Sequence, residues 1–135
     1  MTKEPGMRLY FSHFSLNKFL AARGGTGWQS QELKNKLKQD VLRQVNLGRF
    51  RRIESKYFPL CIEYIFITTH AFDVDNYNMM AKYITDCLVF RTILTDDNPD
   101  VINEYRVSIR KTRKPDREGC LIRFKPNNEL DKIDI

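Results

Sequence analysis

Apolar positions along the chain follow two periods, and the places where the period changes mark the elements. From Arg8 to Phe14, "RLYFSHF", apolar and polar residues alternate, which predicts a first strand. In "QELKNKLKQDVLRQVNLG" the period lengthens: Leu33, Leu37, Val41, Leu42 and Val45 fall on one helical stripe. Ser30 suits the N-cap of that helix and Gly48 its stop, and the opposite face carries Lys34, Lys36, Lys38 and Arg43. Between strand and helix, Gly24, Gly25 and Gly27 predict a flexible loop beside Arg23. No Gly-Lys-Ser/Thr follows it, so it is not a phosphate-cradling P-loop.

"YFPLCIEYIFITT", Tyr57 to Thr69, is aromatic and β-branched, and predicts a central strand with Pro59 at its beginning. After Asp73-Val74-Asp75-Asn76, apolar residues return at helical spacing through Met80, Tyr83, Ile84, Cys87 and Leu88, predicting a helix from Tyr77 to Phe90. "RTILTDDNPDV" has turn chemistry. "VINEYRVSIRK" alternates with Val101, Asn103, Tyr105, Val107 and Ile109 on one face. "GCLIRFK" predicts a further strand, "KTRKPDREG" a basic hairpin loop between the two, and "PNNELDKIDI" a loosely held polar tail. The expected fold is α+β: a single domain over residues 1–135, with its core at 8–125, one mixed β-sheet and two main helices.

Composition narrows the class. The chain is 41% hydrophobic and 30% charged, with no run of about 18 apolar residues, so no membrane span is expected. The N-terminal stretch lacks an apolar segment followed by a small-residue cleavage site, and a cytoplasmic location is expected. Cys61, Cys87 and Cys120 are odd in number, widely spaced and set among apolar residues, which suits small core residues in a reducing compartment. His13 and His70 are too few for a histidine-rich metal site.

Charge changes the picture more. The net charge is +6, but from Arg8 to Arg52 ten Lys/Arg face two acids, from Ala71 to Glu104 seven acids face two bases, and from Tyr105 to Lys125 eight bases face two acids. An acidic island thus separates two basic segments. Dense basic segments attract phosphate backbones, whereas an acidic cluster repels them unless divalent cations reverse the local field.

The aspartates admit two readings. Asp73 and Asp75 sit at a strand-to-helix junction, where an extended backbone would turn both carboxylates to one side, and Asp96 and Asp97 recur one helix later. Asp75 or Asn76 could instead cap the helix, and Asp96–Asp97 could simply make a turn. For the two pairs to meet, the loop after the helix must fold back, since about 14 helical residues span about 20 Å. Carboxylates flanked by phosphate-binding segments suit Mg²⁺, which needs only two or three of them and assists phosphodiester hydrolysis.

With these residues in place, the sequence resembles the RusA-type Holliday junction resolvases. The resemblance rests on a strand followed by Asp73-Val74-Asp75-Asn76, a helix to Phe90, Asp96-Asp97, and the strands "YRVSIRK" and "CLIRF", with "SLNKF" similar to the Ser-x-Asn after the family's first strand. It implies a homodimeric, Mg²⁺-dependent (or Mn²⁺-dependent) endodeoxyribonuclease in the cytoplasm of a bacterial host. Such an enzyme resolves four-way DNA junctions by paired symmetric cuts that leave 5′-phosphate and 3′-hydroxyl ends. Asp73, Asp75 and Asp97 would be the ligands, with Asp96 auxiliary. Where the family carries a lysine, three residues after the motif Asn, this chain has Met79. Lys82 lies one turn further along the same side and is the candidate replacement. Lys34, Lys38, Arg110, Lys111, Arg113 and Lys114 are the expected DNA-backbone contacts. The rival expectations are a non-catalytic nucleic-acid-binding or regulatory protein on the same fold, and an interaction module whose basic faces dock an acidic partner.

Overall fold

Burial along the expected central strand alternates from one side to the other from Ile62 onward, after Leu60 and Cys61 are both buried. Leu60, Ile62, Tyr64, Phe66 and Thr68 are buried, while Glu63, Ile65 and Ile67 are only partly covered. One face therefore carries the core, and among the described residues the other carries no helix. The computed structural model describes residues 6–10, 27–47, 51–69 and 74–135, and the side chains at 27–34, 46–47 and 74–76 lie outside that description. Its elements are β1 (Gly6–Tyr10), α1 (Gly27–Leu47), β2 (Leu60–Thr68), α2 (Val74–Phe90), β3 (Ile102–Lys111) and β4 (Gly119–Pro126), with short 3₁₀ turns at Ser55–Tyr57, Pro115–Arg117 and Glu129–Lys132. Among the described residues the fold is α+β, with one mixed four-stranded sheet and two helices.

Several boundaries differ from those expected. β1 begins at Gly6 rather than Arg8, and residues 11–14 of the expected strand lie outside the described residues, as do the Ser15–Asn17 motif, Gly24, Gly25 and Gly48. α1 starts at Gly27, so Ser30 is inside the helix and does not cap it. Capping preference is a local term of about 1 kcal/mol, small beside the packing of the apolar stripe. β2 starts at Leu60, after a cis Phe58–Pro59 bond, because Tyr57 belongs to the preceding 3₁₀ turn.

Strand order is β1-β4-β2-β3, with β2 central as expected: antiparallel to β4 and parallel to β3, while β1 pairs antiparallel with β4. β3 and β4 flank β2 and do not touch each other, so residues 112–118 are not a hairpin loop. They cross the end of β2, where Thr112 N–H donates to Thr68 O (2.9 Å) and Thr69 N–H donates to Glu118 Oε1 (3.0 Å). Alternation identified both strands, but the partner inserted between them has no signature in their own sequences. One edge of the sheet, here the upper edge, thus gathers the ends of β1, β2 and β3 and the start of β4. β1 is an edge strand whose Tyr10 N–H and C=O are both taken by the Gln44 amide of α1, a side chain filling the place of a strand partner.

Both helices pack on the buried face. Leu37, Val41 and Val45 of α1 and Tyr77, Met80, Ile84, Cys87 and Leu88 of α2 join Met7, Leu9, Ile122 and Phe124 in one core. All three cysteines are buried and free, as the sequence led us to expect. Inside the core Tyr64 O–H meets Thr85 Oγ1, whose own proton goes to Ala81 O (2.8 Å), so the tyrosine is the donor. The tail at 126–135 is held at its start, contrary to expectation. Pro126 completes β4, and buried Asn127 donates through Nδ2 to Asn103 Oδ1 and Glu104 Oε1 (both 2.9 Å).

Candidate active site and nucleic-acid interface

Asp73 lies outside the described residues. Val74 is the first residue of α2 and Asp75 the second, so the extended backbone that would turn both carboxylates to one side is not formed there. Asn76, the third residue, is inside the helix and does not cap it. Asp75 instead occupies the first turn, where the helix dipole favours a carboxylate. Its spacing puts it on the same helical face as Met79, Lys82 and Asp86, a stripe at i, i+4, i+7 and i+11.

The loop after α2 folds back because the helix ends in a tight turn that leads straight into buried residues. Thr92 N–H donates to Val89 O and Ile93 N–H to Leu88 O (both 3.0 Å), the paired bonds of a Schellman termination, with Thr92 at φ 59° in the position glycine usually fills. Ile93 and Leu94 are buried, and Ile53 N–H donates to Ile93 O (2.8 Å), so the chain is fixed to the core immediately past the helix. Asp96 then shapes the next turn: Oδ1 accepts from Asp97 N–H (2.8 Å) and Oδ2 from Asn98 Nδ2 (3.1 Å). Asp97 emerges beside the middle of α2, with Lys82 Nζ 3.0 Å from Asp97 Oδ2 and 3.4 Å from Asp86 Oδ1.

The Lys82–Asp97 pair has a clear protonation state. The hydrogen bond and charge of Lys82 hold Asp97 below its ordinary carboxylate range, while Asp97 and then Asp86 push Lys82 up. At neutral pH the pair is ionised. Asp86 was not singled out from sequence, although its i, i+4 relation to Lys82 signals it. Met79, where the RusA-type resemblance would put a lysine, is half-buried and packs against the core.

The expected DNA contacts divide by location. Arg110 and Lys111 end β3 at the upper edge, and Arg113 and Lys114 are exposed on the crossing loop beside them. Lys38 is elsewhere: it lines a groove between the helices with Asp86, Cys87 and Phe90, on the other side of the sheet from Arg110. The side chain of Lys34 lies outside the described residues. Arg8 and Arg117, which lie near Arg110, were not selected from sequence. The alternation Met7-Arg8-Leu9 already placed Arg8 on the face opposite the core.

The donor types suit a hard divalent cation, since Asp75 and Asp97 offer carboxylate oxygens and Asp97 is ionised. Among the described residues no three His, Cys, Asp or Glu side chains form a metal-holding group, a statement that excludes Asp73 and the Asp75 side chain. No helix among the described residues is long and apolar enough to cross a membrane. No protein-family model and no curated protein matches the chain.

Proposed function

We propose that the protein is a divalent-cation-dependent endodeoxyribonuclease that cuts branched, four-way DNA. The observation carrying this reading is the return of Asp97 to the face of α2 that begins with Asp75, on a molecule whose neighbouring upper edge is basic. Asp73, Asp75 and Asp97 would hold Mg²⁺ or Mn²⁺, and Asp96 positions Asp97 by shaping its turn. A cation held there would supply Lewis-acid stabilisation of the charge on the phosphate during ester hydrolysis. Lys82 keeps Asp97 ionised and offsets the repulsion that Asp97 and Asp86 exert on a polyanion. Arg110, Lys111, Arg113 and Lys114 position the backbone. A homodimer fits this substrate, because a four-way junction has near two-fold symmetry and requires one cut on each of two opposed strands.

The reading is tested on a synthetic four-way junction with Mg²⁺ or Mn²⁺. Wild-type protein makes paired symmetric nicks, and Asp75→Asn and Asp97→Asn each slow them about 100-fold or more, the scale of losing an electrostatic contributor to catalysis. The second reading, a protein that binds branched DNA without cutting it, is favoured by one observation: apolar Met79 stands where the RusA-type resemblance would put a lysine. Tight binding with no nicks in either metal establishes that reading and removes the first.

A further inference from the structure

The face of the sheet opposite α1 and α2 has a recess of about 350 Å³ near its upper edge. Ile67 and Leu121 form its floor, and Arg8, Arg110, Lys111 and Arg117 form its rim. The strand register explains the hollow. Ile67 pairs with Arg110 on one side and with Gly119 on the other, and Gly119, next to Tyr10 of β1, has no side chain to fill the middle. The arginines on either side therefore extend over a low centre.

Arg8 is held in place. Its Nη2 donates to Arg117 O (2.5 Å) and its guanidinium carbon lies 4.5 Å from the centre of the Tyr10 ring. Its Nη1, however, is buried and has no hydrogen-bond partner among the described residues. A buried guanidinium nitrogen without an acceptor is costly, and the most effective acceptor for it is an anionic oxygen. Of the two carboxylates in the crossing loop, Glu118 is already engaged by Thr69. A second copy of this face would bring four cations against four, so self-association is disfavoured, whereas a polyanion is complementary.

We propose that this recess seats a backbone phosphate of the bound nucleic acid, with Arg8 as its fixed donor and Arg110, Lys111 and Arg117 closing around it. The proposal rests on the nucleic-acid reading above and adds a path to it. The recess is on the opposite face from α2, so DNA that reaches both it and Asp97 passes over the crossing loop at 112–118. Arg113 and Lys114 lie along that path.

Binding of a labelled four-way junction, followed by fluorescence anisotropy in EDTA over a NaCl series, tests this. Arg8→Gln, Arg110→Gln and Arg117→Gln should each weaken binding about tenfold and lower the slope of log K against log salt by about one, as loss of one phosphate contact requires. Lys132→Gln, on an exposed turn beyond β4, should change neither. Arg110 and Arg117 are exposed, so their variants decide the matter even if Arg8→Gln unfolds β1. Recess variants with wild-type affinity and slope overturn the inference while leaving DNA binding intact. A wild-type protein that fails to bind the junction at low salt overturns both. Displacement of the DNA by polyglutamate as readily as by unlabelled duplex of equal charge also overturns the inference, because the recess would then read charge rather than phosphate.

Discussion

Lys82 and Asp97 carry opposite consequences at the two ends of the pH scale. Asp97 is depressed in the fold, so its contribution to stability is present above its unfolded value near 3.8 and lost as pH falls through the lower folded value. Lys82 is raised, so its contribution is complete below 10.5 and lost as pH rises through the higher folded value. The pair is exposed, and screening limits it to roughly 0.2–1 kcal/mol. Lys82→Gln should therefore barely move the melting temperature but shift the Asp97 carboxyl titration upward by NMR, and slow any nicking. Tyr64 and Thr85 show the contrast in the core. Tyr64→Phe removes a donor whose loss leaves Thr85 still bonded to Ala81, costing about 1 kcal/mol. Thr85→Val leaves the tyrosine hydroxyl buried without its partner and costs about 1–3 kcal/mol. Urea unfolding of both singles and the double variant would show the coupling. Asp75, Lys82 and Asp97 were legible in the sequence as charged residues at suggestive spacing. That Asp96 would use both oxygens in its own turn was not, since turn geometry depends on where the preceding helix stops.

Helix and strand ends are where the elements carry identifiable strain or crowding. Thr92 is β-branched and sits at φ 59°, a region that costs such a residue about 1 kcal/mol or more. Thr92→Gly should stabilise the fold by about 0.5–1 kcal/mol in chemical denaturation, with the Asp97 loop unmoved. Gly119 shows the reverse. A Cβ there would lie 1.9 Å from Leu9 O, a backbone atom that cannot rotate away. Gly119→Ala should cost about 3 kcal/mol and loosen β1 first, seen as faster amide exchange at Leu9 than in β2. The existence and type of each described element followed from periodicity, because an apolar stripe must face one core. The starts of α1 and α2 did not, because caps contribute about 1 kcal/mol and packing overrides them, whereas their last residues, Leu47 and Phe90, fell where expected. Strand order was equally hidden: nothing within β3 or β4 encodes that β2 separates them.

Over the whole molecule, burial controls the thiols. Burial pushes Cys87 up to about 11 and Cys120 higher still, and raises Cys61 as well. Thiolate is the reactive form, so the folded protein should react with a thiol reagent at pH 8 far more slowly than the denatured chain, which yields three equivalents. The rate measured on the native protein then reports opening of the core. The three charge blocks found in the sequence also take on geometry at this scale: the acidic block supplies α2 and the loop that returns to it, and the last basic block forms the crossing loop and much of the sheet face opposite α1 and α2.

The chain leaves the sheet at its lower edge: Pro126, where β4 finishes, pairs with Leu60 at the start of β2. A fluorescent module or affinity handle joined after Ile135 therefore continues a segment that leaves the sheet at the edge opposite the crossing loop and the arginine recess. Protein captured on a sensor surface through such a handle presents its upper edge to the solution. Binding and cleavage can then be followed on the immobilised protein without the tether competing for the edge where DNA is proposed to pass.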